Sequence, residues 1–187
     1  MKPTPPDPRS PKEVWDKQYK ILISNPLSWR LKAESLIAAF DVLVADDERK
    51  TAENAQGRRV QSVAYMLAGF AIENLLKGVL ITRTKHLDKN GKFKLGTHDL
   101  RQLARDAGYT MDDEENRLLE RIQEFTVWTA RYPVPLDSDA MRPRATPDGG
   151  FAPRTYHQLG EDWPAIRALF ARFSNDLLQA QSVQAEI

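Results

Sequence analysis

Glu73 and Lys77 stand four residues apart inside the otherwise apolar run GFAIENLLKGVL. On a helix that spacing sets a carboxylate one turn before an ammonium, the favourable order for an ion pair. His98 opens the segment HDLRQL, and Arg131 closes WTAR just before Tyr132 and Pro133. A carboxylate and an imidazole can pass a proton to and from a substrate, and a guanidinium can hold a phosphate. Arg131, His98 and Glu73 are therefore the candidate catalytic residues, provided the fold brings them together. Arg131 beside Tyr132 also suits phosphate and base contacts. Each position has a plainer role open to it as well. His98 fits a helix start, Arg131 fits a helix C-terminus that favours cations, and Glu73 with Lys77 fits a solvated surface pair.

A second kind of candidate is charge alone. Arg83, Lys85, Lys89, Lys92 and Lys94 stand against Asp88 in one segment, five cations minus one anion, or +4. With Phe93 among them, they could grip a phosphate backbone or an acidic partner. The binding candidates are thus Glu73, Lys77, Arg131, Tyr132, Arg83, Lys85, Lys89, Lys92 and Lys94. The three histidines, His86, His98 and His157, are scattered, cysteine is absent, and no Glu-x-x-His pair stands on a helix. No metal site is expected. No glycine-rich phosphate loop follows a strand, and no cofactor is expected.

The elements that must position these residues read as helices. Val14, Trp15, Tyr19, Leu22 and Ile23 recur at helical steps from Lys12 to Ser24, where Asn25 and Pro26 stop the pattern. A second helix is expected from Ser28 to about Asp46 and a third, the most apolar, from about Arg58 to Thr82. On the third, Val60, Val63, Leu67, Phe70, Ala71, Leu75 and Ile81 share a wide face expected to be core. Asn74 lies in that face and should bond a neighbouring helix or backbone. Ser62, Gly69, Glu73 and Lys77 form a narrow polar stripe. A short helix is expected from Thr97, with Thr97 or Asp99 as cap, to Gly108. The next should begin on a Thr110 and Asp113 capping box and run to about Arg131. Pro133, Pro135, Pro143, Pro147 and Pro153, with Gly149 and Gly150, predict a long loop over 132–157, and a last helix should span 160–180. No run reads as a strand. The fold class is all-α, an up-and-down bundle of five to six helices.

The chain has 187 residues, enough for one domain with a real core, at 41% hydrophobic and 28% charged residues. Residues 1–11 read as a proline-rich tail and 12–182 as a single domain. A net charge of +1 excludes a strongly basic nucleic-acid coat. No apolar stretch of bilayer length runs free of charge, so no membrane crossing is expected, and the absence of cysteine suits a cytoplasmic protein.

The run AGFAIENLLKGVLI, then THDLRQL, then a helix ending WTARYPVP resembles the HEPN domain family, in which such pieces recur in this order. The resemblance covers roughly residues 60–135, within a HEPN-like core of about 28–135. It implies a four- or five-helix bundle, frequent homodimers, and roles in RNA cleavage, RNA binding, or toxin–antitoxin and phage defence systems. Catalytic members of the family place four to six residues between an arginine and the histidine that follows it. Here Arg83 and Arg154 precede His86 and His157 by only three residues, and nothing basic but Lys92 precedes His98 at the required spacing. The expectation is a HEPN-like component that binds RNA or a neighbouring partner protein without ordinary nuclease activity. The alternatives are a diverged metal-independent endoribonuclease and a helical protein-interaction module.

Overall fold

Asn25 and Pro26 divide the first two helices. The Asn25 side chain accepts a hydrogen bond from the Leu27 amide at 3.0 Å, and Pro26 takes the first helical position, where no amide donor is needed. They separate α1 (Lys12–Ile23) from α2 (Pro26–Ala52). The computed structural model describes residues 11–53, 60–83, 94, 96–131, 138–145, 149–152 and 159–185. Helix α2 continues well past Asp46, where the acidic run was expected to end it. Arg49 and Lys50 both bond Asp46, Arg49 also pairs with Glu53, and Asp47 is buried, accepting from Gln61 at 2.8 Å. Asp46 is therefore neutralised within the helix, and Asp47 is met by an amide from the next one.

Helix α3 (Gln61–Arg83) is the central element, with α2, α6 (Leu159–Ala185) and residues 100–129 around it. Its packed side mixes small residues, Ala64, Ala68, Ala71 and Gly78, with large ones, Tyr65, Ile72, Leu75, Leu76 and Leu80. Gly78 lets Leu177 of α6 and Trp29 of α2 come within contact of the α3 backbone. That corrects the expected core face: Val63 is exposed, and Leu67 and Phe70 are only half-buried. Close approach of helices selects small side chains, and hydrophobic periodicity does not distinguish small from large. Helix α3 is long and apolar enough by composition to cross a membrane, yet 78% of its most apolar window is buried inside the bundle.

Helix α4 (Leu100–Asp106) starts after Asp99, whose carboxylate caps the Gln102 amide at 2.9 Å, and ends at Gly108, with φ of +81°. Helix α5 (Asp113–Glu124) begins on a capping box, but its members are Asp112 and Glu115 rather than Thr110 and Asp113. The return bond to the cap amide needs the longer glutamate. The α-helical part of α5 stops at Glu124, short of Arg131. A π-helical turn, Phe125–Thr129, follows, with Ala130 donating to the Phe125 carbonyl at 3.3 Å.

Among the described residues the architecture is a bundle of six α-helices, as expected in class. The proline-rich segment adds a short 3-10 turn, Ser138–Met141, and one unexpected antiparallel contact, β1 (Arg144–Ala145) with β2 (Phe151–Ala152). The last helix begins one residue early and runs to Ala185 rather than 180.

Candidate functional site

Two turns of chain bring the α4 start against α3. Thr97 Oγ1 accepts from the Asp99 amide at 3.1 Å, spanning His98, and the Leu100 amide donates to Gln123 of α5 at 2.9 Å. His98 is thereby held over the middle of α3. Its Nδ1 lies 3.0 Å from both carboxylate oxygens of Glu73, and Lys77 Nζ lies 2.8 Å from Glu73 Oε1. The side chains of Glu73 and Lys77 are 8% and 7% exposed, while that of His98 is 64% exposed. This overturns the expected solvated stripe: the pair is buried, and a buried carboxylate needs its partners.

The geometry assigns the imidazole tautomer. An Nδ1–H donated to Glu73 leaves Nε2 as the acceptor, on the ring edge that faces away from the carboxylate. A carboxylate that orients a histidine in this way fixes the ring for proton transfer. Of the candidate residues, Glu73, Lys77 and His98 are thus brought together. Arg131 follows the π turn and is exposed at the surface. Tyr132, Lys85, Lys89 and Lys92 lie outside the described residues, as does most of the proline-rich segment, and Lys94 is exposed.

Arg83 serves differently from its expected role in a basic patch. It donates to the Ala107 carbonyl at the end of α4 and stands 5.8 Å from the Tyr109 ring centroid. It ties α3 to the α4 to α5 turn. Asn74 takes the backbone alternative: it is half-buried and donates at 2.7 Å to the Phe70 carbonyl of its own helix rather than bridging helices.

A second polar cluster was not anticipated. Arg121 grips Asp162 through Nε at 2.7 Å and a terminal nitrogen at 2.5 Å, and the Tyr65 hydroxyl donates to the same carboxylate at 2.5 Å. All three are buried, with Tyr65 stacked on Phe125 at 4.6 Å. Arg121 and Asp162 line a cleft of about 720 Å³ between α5 and α6, with Glu114, Arg117, Glu161 and Arg172 around it. The available signal was Arg121 itself, a cation one residue before Ile122. Among the described residues no cluster of metal-ligating side chains occurs. Compared with family models, curated proteins and solved structures, the chain finds no match.

Proposed function

We propose that this protein is a HEPN-like, RNA-binding component of a bacterial defence or toxin–antitoxin system, acting as a cytoplasmic homodimer. The observation that carries the reading is the meeting of Glu73, Lys77 and His98. Two segments distant in sequence, both within the family-like region, converge on one polar point beside an otherwise apolar helix. RNA would lie across the α4 start, with His98 meeting it and the exposed Arg131 and Lys94 supplying phosphate contacts.

The orientation of His98 by Glu73 favours a second reading, the diverged metal-independent endoribonuclease. His98 Nε2 would take the proton of a ribose 2′-hydroxyl and O2′ would attack the adjacent phosphorus. The bond from phosphorus to the leaving 5′-oxygen would break, and that oxygen would receive the proton, leaving a cyclic phosphate and a free hydroxyl. Lys77 would keep the Glu73 charge compensated throughout.

Total tRNA in a gel-shift and cleavage assay with EDTA present separates the two. Retarded, intact tRNA, with binding weakened several-fold by Arg131→Ala and by added salt, is the expected result for the binding component. Cleavage that survives EDTA and disappears in His98→Ala would establish the ribonuclease. Neither retardation nor cleavage at low salt would sink both.

A further inference from the structure

Helix α1 buries none of its residues, and among the described elements it touches only α2. It is nevertheless rich in large apolar side chains. Val14, Trp15, Tyr19, Ile21 and Leu22 are all exposed, Ile21 at 48%. A helix of twelve residues is marginal in water unless something packs against it. The bundle holds α1 by one end. The Trp29 indole of α2 donates to the Ile23 carbonyl at 2.9 Å, and Tyr19, Leu22 and Ile23 share a gap of about 280 Å³ with Trp29 and Asn74. The turns before that end keep their apolar side uncovered.

The order of residues round α1 bears on what covers it. At about 100° per residue, Ile21, Val14, Leu22, Trp15 and Tyr19 follow one another over roughly 160° of the helix, with Gln18 as the single polar member. Lys17 stands at one border of this arc and Lys12 at the other, while Asp16, Lys20 and Glu13 fill the opposite side. A protein groove takes the narrow stripe of a helix, whereas a fluid bilayer surface covers a whole broad, convex face. Tryptophan and tyrosine, apolar rings with one polar edge, settle at the level of lipid headgroups. Lysines at the borders can lay their stems along the apolar side and carry their ammonium groups out to phosphates. Charge favours anionic headgroups. Lys12 is taken up by Asp16 at 2.6 Å, but Lys17 and Lys20 have no partner among the described residues and stand against Glu13 alone.

We propose that α1 docks on an anionic lipid bilayer, lying in the headgroup layer with its axis parallel to the surface. The arc from Ile21 to Tyr19 enters the boundary of the acyl chains, and Lys17 and Lys20 meet lipid phosphates. The bundle stays in water, held to the membrane through the short Asn25 and Pro26 turn. Docking of this kind needs no membrane crossing, and α3, the one described helix apolar enough to cross, remains inside the bundle.

The inference stands apart from RNA binding and is tested without RNA. The full chain should float with phosphatidylcholine vesicles that carry phosphatidylglycerol, and several-fold less with phosphatidylcholine alone. The part of the tryptophan emission that Trp15→Phe removes should lie at long wavelength in buffer and move to shorter wavelength on the anionic vesicles. Ile21→Glu, at an exposed position, should keep the far-ultraviolet circular dichroism of the parent and float at least ten-fold less. Lys17→Glu combined with Lys20→Glu should abolish the preference for phosphatidylglycerol. A parent chain that does not float with anionic vesicles overturns the inference, as does flotation that Ile21→Glu leaves unchanged. Trp15 emission already at short wavelength without lipid also overturns it, since a protein surface would then cover the helix.

Discussion

A methyl group at residue 69 would collide with Thr126 and would stand 2.9 Å from an Ile122 methyl carbon. Gly69→Ala is therefore expected to cost about 1–3 kcal/mol, the range for overpacking a filled core. In chemical denaturation, Thr126→Ala should recover part of that loss, and a double-mutant cycle showing strict additivity would refute the contact. The sequence placed Gly69 only beside a polar stripe, because a glycine within a helix does not announce which neighbour needs the space. The same limit applied to Asn74, whose own-helix bond to Phe70 leaves no mark in periodicity. Tyr109 carries a pH consequence. Burial, with the Asp176 carboxylate beside it, pushes its phenol well above the ordinary tyrosine range. The unfolded phenol ionises near pH 10. The stability held below that pH should fall as pH rises through it, read as an alkaline drop in the unfolding midpoint that Tyr109→Phe reduces.

Between elements, the bond of Arg121 and Tyr65 to Asp162 links α5, α3 and α6. Removing one partner leaves a buried charge unpaired, which costs about 3–5 kcal/mol. Asp162→Ala should lower the thermal midpoint by about 6–20 °C for a chain of this size. Arg121→Met combined with Asp162→Leu should lower it less than Asp162→Ala alone, which thermal circular dichroism can decide. Element boundaries were legible where a side chain closes a backbone bond, as at Asn25 and Asp99, or where a glycine takes a positive φ, as at Gly108. They were misread where the end depends on packing. Nothing local distinguishes the turn after α5 as a π turn, in which Thr126 packs against Gly69 of α3. The burial of Glu73 and Lys77 is of the same kind: their spacing predicted the ion pair, but only the arrival of His98 from another segment makes the burial tolerable.

For the whole molecule, the all-α class followed from helical periodicity throughout, and the outward faces did not. An apolar stripe reads as core whether it meets its own chain or another, which is why Val63 and Leu67 were assigned inward. Helix α1 tests the difference. Deleting residues 1–24 should leave the remaining helical signal and a cooperative transition in thermal circular dichroism, because α1 contributes no buried residue. Arg83 and Gln123 carry one more consequence. The first fastens the end of α3 to the end of α4, and the second fastens the start of α4 to α5, so bonds made outside residues 84–95 anchor α4 at both ends. Continuity of the backbone between residues 84 and 95 is then dispensable for holding the bundle together. Fragments 1–83 and 96–187, produced in one cell, should associate into a nicked but folded protein.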